Sequence, residues 1–186
     1  MGIFDSLFWF EETKKGETSN SKKPVKNDNG FNRIFNKDGG YQESYKKNGA
    51  ITGEFKIYNK KGILILHLEN VVQVGKEILV NGKETKRYHN GSLQSECCFI
   101  RGSRDGFGIE YEIDGSINQI DYYKNNESVS WDSDKNKKMM LREIKKYMKN
   151  GVKVYPVNYM GLCESLGYDG DWKDDSLQII TNVLSK

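Results

Sequence analysis

The stretches GFNRIFNKDG (residues 30–39), GEFKIYNKKG (53–62) and GFGIEYEIDG (106–115) share one spacing: a glycine, an aromatic residue five positions on, and a second glycine four after that. The starts at Gly30 and Gly53 are 23 residues apart, and 23 residues before Gly106 stands Lys83, followed five positions later by Tyr88. KETKRYHNG (83–91) is therefore a fourth copy, degraded, with Lys83 in place of the leading glycine and its closing glycine, Gly91, one position early. Between the second and third starts lie 30 residues instead of 23, so a loop or longer hairpin of about seven extra residues is expected there. A period of this size marks an array of small supersecondary units, each burying its faces against its neighbours. Such arrays usually bind rather than catalyse.

Within a copy, FGIEYEI sets Phe107, Ile109, Tyr111 and Ile113 against Gly108, Glu110 and Glu112, the alternation of a strand with one apolar face. Asn48-Gly49, Asn81-Gly82, Asn90-Gly91, Asp105-Gly106, Asp114-Gly115 and Asn125-Asn126 are dipeptides that accept positive φ and punctuate hairpins. Each unit reads as a strand ending near its aromatic residue, a turn ending at its glycine, and a returning strand. The most apolar return, ILILHLENVV (63–72), is expected to be covered on both faces. The apolar phase differs between copies, since Phe55 and Ile57 are out of step with Tyr58 whereas Phe107 and Ile109 are in step with Tyr111.

Outside the array the chain changes character. Residues 1–11 form a short apolar piece with Ile3, Phe4, Leu7, Phe8, Trp9 and Phe10 at helical spacing, and 12–29 hold so few apolar side chains that they read as a flexible linker. The first residues lack a basic n-region and are too short to span a bilayer. They match a myristoylation pattern at Gly2 and Ser6, against which the bacterial look of the Lys- and Asn-rich composition argues. From 131 to 186 the period becomes helical. Ser133 or Asp134 can cap a helix running to Gly151 with Met140, Ile144, Tyr147 and Met148 on one face, and Asn158–Leu166 and Asp175–Ser185 read as two shorter helices. The expected fold is thus α+β: a meandering antiparallel β-hairpin repeat sheet over 30–126, followed by a small C-terminal helical region that covers its exposed end.

The totals fit a binding protein better than an enzyme. At 186 residues, with 30% charged and 12% aromatic side chains and a mean hydropathy of −0.76, a thin β layer with partly wet faces accounts for the composition. A formal charge of +3 supplies no field that would draw the chain onto nucleic acid. The three cysteines, two of them adjacent, form neither a disulfide framework nor a metal spacing, which points to a reduced, cytoplasmic setting. His67 lies in an apolar strand and His89 beside a turn, and no nucleophile elbow or phosphate loop is present, so neither catalytic residues nor a cofactor are expected. Asp132, Asp134, Asn136 and Glu143 mimic positions of a calcium loop, but Lys137 stands where glycine is required, so no metal site is expected. The acidic stretch 168–175 could oppose the basic helix, within the fold or on a partner.

YKKNGAITGEFKIYNKKG (45–62), YHNGSLQSE (88–96) and GFGIEYEIDG (106–115) resemble MORN-type repeats, in particular the bacterial variant with Asn-Gly turns and spaced tyrosines. The resemblance covers about half the chain, residues 30–126, and implies a sheet of consecutive hairpins. It further implies an antitoxin or immunity protein that neutralises a toxin or effector protein by occluding it. Tyr58, Tyr88 and Tyr111, at family-matched positions, and Trp131 are the expected apolar anchors. A second expectation, of a different class, is a scaffold on a membrane or another phosphate-bearing surface, held by Lys138, Arg142, Lys145 and Lys146 on the basic helix 135–149.

Overall fold

A computed structural model describes residues 29–131 and 133–168; the N-terminal apolar piece, almost all of the linker, the acidic stretch beyond Tyr168 and the expected helix at 175–185 lie outside the described residues. Ten strands form one antiparallel sheet: β1 (Gly30–Phe35), β2 (Tyr41–Lys47), β3 (Ala50–Tyr58), β4 (Leu64–Val74), β5 (Glu77–Val80), β6 (Lys83–Arg87), β7 (Leu93–Ile100), β8 (Ser103–Tyr111), β9 (Ile117–Lys124) and β10 (Glu127–Ser128). Neighbours in the sheet are neighbours in sequence except at β4, which pairs with both β5 and β6. The extra residues are therefore a longer hairpin: Val71–Val74 pair with β5, and Leu66–Leu68 pair with β6.

Two kinds of turn alternate along the meander. At one end of the strands, four turns share a bonding pattern in which the first N–H donates to a carbonyl four residues on. These bonds are Asn36 to Gly40 (2.8 Å), Asn59 to Ile63 (2.9 Å), Tyr88 to Ser92 (2.9 Å) and Glu112 to Ser116 (2.8 Å). The closing glycines Gly39, Gly62, Gly91 and Gly115 sit at φ of 88°, 75°, 92° and 86°, where a side chain would be strained. At the other end two-residue turns such as Asn48-Gly49, Arg101-Gly102 and Asn125-Asn126 have both residues at positive φ, the hairpin geometry that matches strand twist. Asp105-Gly106, expected as a turn, lies inside β8, and the actual turn is Arg101-Gly102. The leading glycines mark irregular strand positions instead: Gly53 (φ 79°) sits where the β3–β4 register shifts, and Gly106 (φ 123°) where a Cβ would lie 3.0 Å from the Cβ of Cys98. In the third unit Tyr88 occupies the first turn position that Asn36, Asn59 and Glu112 hold elsewhere, so it is one step out of the equivalence its spacing suggests.

Residues paired across strands share a face, and the pairings divide the core in two. Phe55, Leu66, Leu68, Val71, Ile78, Val80, Cys97 and Phe99 form a cluster on one face in the middle of the sheet. Ile109, Tyr111, Ile117 and Ile120 lie on the opposite face, at the C-terminal end, under helix α1 (Asp134–Lys149) and its neighbours. Ser133 caps α1, its Oγ accepting from the Asn136 N–H at 3.2 Å. Met140, Leu141 and Ile144 point into the core, together with Val154, a single 3-10 turn (Pro156–Tyr159) and Leu162 and Cys163 of α2 (Met160–Ser165). The buried Asn158 donates to the Asn118 carbonyl at 2.7 Å and fastens this cap to β9. The shifting apolar phase now has its reason. Offsets within the repeat make Lys56 equivalent to Ile109 and Phe55 equivalent to Gly108, so the second unit places apolar groups on one face and the fourth on the other. The expected two-sided burial of 63–72 is corrected accordingly: Leu66, Leu68 and Val71 are buried, while His67 and Val72 lie on the less covered face.

Equivalent positions should then respond differently. Ile109→Ala is expected to cost about 2–5 kcal/mol, and Lys56→Ala, at the same repeat position, about 1 kcal/mol or less, measured by urea unfolding.

Candidate functional site

The face that α1 covers at β7–β9 continues across β1–β6, where no described helix lies over it. One cross-strand row runs through it by successive pairings, Arg33–Glu43–Lys56–His67–Thr85–Glu96, and ends in Ile109 and Ile120 under the helix. The row is polar where bare and apolar where capped. Its charges alternate in sign and are paired within the row or with a neighbour beside it: Arg33 Nε and Nη2 donate to Glu43 Oε1 at 3.0 and 2.6 Å, Lys56 donates to Glu54 at 2.5 Å, and Lys83 pairs with Glu96. The Lys56 hydrogen bond holds the Glu54 carboxyl below its usual range. His67 presents Nε2 3.5 Å from Glu54 Oε1 without forming a hydrogen bond to it.

Aromatic side chains flank this row on the same face. Tyr41 stacks on Tyr58 at 4.5 Å between ring centroids and 14° between planes, Phe35 tilts against Tyr41 at 5.6 Å, and the Arg33 guanidinium lies 4.9 Å from the centre of the Tyr41 ring. Phe31 and Tyr45 border a shallow cleft of about 280 Å³ floored by Glu43, Glu54 and Lys56. Beyond them the pairings put Val72, Val74 and Ile100 on this face too, all exposed. Exposed large apolar side chains thus gather on the bare part of the capped face.

Of the four anchors expected from sequence, the structure brings only Tyr58 to this surface. Tyr111 is 7% exposed, inside the helix-covered core, its hydroxyl 3.2 Å from Glu96 Oε2 and 3.4 Å from the Tyr147 hydroxyl. Tyr88 donates to the Tyr111 carbonyl at 2.8 Å, tying two turns together. Trp131 packs on the cap, where a Cβ at Gly161 would come within 3.1 Å of its Nε1, and it borders a separate cleft of about 420 Å³ with Asn118, Asp121, Val157 and Tyr159. Lys138, Arg142, Lys145 and Lys146 are all exposed on the outer side of α1; Lys146 is held by Glu143 at 3.1 Å, while Lys138, Arg142 and Lys145 share a stripe with Lys135 and Lys149. Asp134 and Glu143 of the calcium-loop mimic lie on a continuous helix, and among the described residues no three His, Cys, Asp or Glu side chains converge on a point. Burial pushes the Cys97 thiol up to about 11 and the Cys163 thiol up to about 12, so both stay protonated at neutral pH.

Phe31, Arg33, Phe35, Tyr41, Glu43, Tyr45 and Glu54 were not among the binding residues expected from sequence, although Phe35 is the aromatic residue of the first repeat. Their signal was parity: Phe31, Arg33 and Phe35 alternate in β1, and Tyr41, Glu43 and Tyr45 alternate in β2. Among the described residues no helix is long and apolar enough to cross a membrane. Comparison with protein-family models and with curated proteins gives no match to the chain.

The two tyrosines should separate by role. Tyr111→Ala is expected to lower stability by about 3–5 kcal/mol, as for other large buried aromatics, and Tyr58→Ala, which loses one half-buried stack on Tyr41, by about 1 kcal/mol, with both read from urea midpoints at constant m-value.

Proposed function

We propose that this chain is a MORN-like repeat protein that binds a partner protein, acting in bacteria as an antitoxin or immunity protein that neutralises a toxin or effector by covering it. The observation that carries this reading is the bare half of the capped face, where Phe31, Phe35, Tyr41, Tyr45, Tyr58 and Val72 surround a row of paired charges. Aromatic groups of this kind supply contact area at low entropic cost, and alternating charges set partner choice more than raw affinity. The mechanism is steric and electrostatic, and it draws on no residue held for chemistry.

Capture of the tagged chain from its native cell is expected to recover one stoichiometric protein. The double variant Tyr41→Ala/Tyr58→Ala should bind it at least about tenfold more weakly, the scale of losing two aromatic contacts, with its circular dichroism unchanged. Capture of nothing, or of a protein that binds the variant equally well, would sink the reading.

A second reading, a scaffold on an anionic membrane, is favoured by the stripe Lys135, Lys138, Arg142, Lys145 and Lys149, which is exposed and in which no member makes an ion pair with another of the described residues. Its apolar counterface is spent on the sheet, so attraction would be electrostatic alone. In that case the chain should co-sediment with phosphatidylserine vesicles, be released by 0.5 M salt (about a 4 Å screening length), and fail to sediment after Lys138→Ala/Lys145→Ala. Sedimentation unchanged by salt would exclude it.

A further inference from the structure

Among the described residues the path of strands runs from β1 to β10, with β5 paired to β4 off this path, and its two ends are unlike. β10 at one edge is two residues long, Glu127 and Ser128, and the chain beyond it folds back, Val129 N–H bonding the Tyr122 carbonyl at 2.9 Å. β1 at the other edge is six residues long, pairs with β2 without a register shift, and contains neither proline nor bulge. Natural sheets blunt such an edge with proline, inward charges or bulges; β1 instead exposes Phe31 (58%), Ile34 (44%) and Phe35 (68%).

Which backbone groups are open follows from the first turn. The Asn36 N–H bonds the Gly40 carbonyl at 2.8 Å, so Asn36 faces β2. Backbone groups alternate in direction along a strand. Ile34 and Asn32 therefore also face β2, and Phe35, Arg33 and Phe31 turn their N–H and C=O groups outward. These same three residues carry their side chains on the bare, aromatic face. Backbone hydrogen bonding and side-chain recognition thus converge on one edge.

We infer that β1 is a strand-acceptor edge that takes an extended segment of the partner protein, with apolar side chains opposite Phe31 and Phe35 and a carboxylate opposite Arg33. The inference rests on the protein-binding reading above. Charge selects the occupant. Arg33 is the one ionised side chain on β1, and its guanidinium reaches Glu43 through Nε and Nη2, leaving Nη1 to meet a second carboxylate. The same residue works against a second copy of this chain: antiparallel self-pairing that engages all three outward residues is centred on Arg33 and sets two guanidiniums directly opposite, a repulsive arrangement. Added strands draw affinity from the main chain and specificity from alternate side chains, the combination this edge supplies.

The test uses the full chain and a blocked peptide in which threonine alternates with valine, glutamate and valine in turn, followed by amide exchange in nuclear magnetic resonance. Exchange at Phe31, Arg33 and Phe35 is expected to slow about tenfold at saturating peptide, while Asn32 and Ile34, already bonded to β2, stay as they were. A lysine peptide should bind about threefold more weakly than the glutamate peptide, a cross-strand charge effect. The variant Arg33→Glu/Glu43→Arg, which keeps the internal ion pair, should reverse that preference. The glutamate peptide N-methylated at alternate residues should not bind. Unchanged exchange at the three outward amides, or equal affinity for both peptides, would overturn the proposal, as would protection that rises with protein concentration in the absence of peptide, since the occupant would then be a second copy. If the peptide fails while the captured partner still depends on Tyr41 and Tyr58, the edge is excluded and the binding reading stands; if the peptide binds as expected but capture fails, the edge stands and the neutralising function falls.

Discussion

A sheet one strand thick has two faces to keep from water, and among the described residues helices cover only one end of one of them. Everything else in the structure follows from how that deficit is met. In the middle of the sheet the apolar residues of β3, β4, β5 and β7 gather on one face, with Leu68 and Val71 fully buried. At β8 and β9 they gather on the other, where Met140, Ile144 and Leu162 cover Ile109 and Ile120. The sheet is the shared wall of two half-cores, each too small to stand without the ladder between them.

The switch between faces accounts for the candidate site. Once the second half-core is confined to β7–β9, the same face over β1–β6 has no helix over it among the described residues, and its exposed surface must be made wettable. It is so made by charges that pair with each other and not with a helix, so the surface is near neutral while remaining polar. Aromatic rings stacked across strands cover the backbone there. Such a surface is stable in water, because each charge has a neighbour, and can be desolvated by a partner at lower cost than isolated charges would allow.

The repeat spacing also explains what each glycine does. The closing glycines carry the positive φ that a tight hairpin needs, four times over. Two of the leading glycines, Gly53 and Gly106, sit near local irregularities in the strands, whereas Lys83 opens β6 in regular pairing with Cys98. Tyr88 shows the limit of counting: it keeps its distance from Lys83, yet the segment before the turn is one residue shorter, which places Tyr88 in the turn and in hydrogen bonding with Tyr111.

Sequence alone determined the hairpin array, the insertion after the second unit and the helix capped near Ser133, because turns and caps are local and depend on a few residues in a row; that the insertion is a longer hairpin and that Ser133 is the cap came with the structure. It also contained the phase difference between Phe55 and Ile109, without showing what that difference meant. Tertiary structure decided the rest. Whether an alternating strand buries its odd or its even residues depends on what packs above it, and only the docking of α1 over Ile109 and Ile120 fixed that choice. The same docking enclosed Tyr111 and left Tyr58 on the open face, although the two hold the same place in the repeat, since equivalence along a chain does not carry over to equivalence in burial.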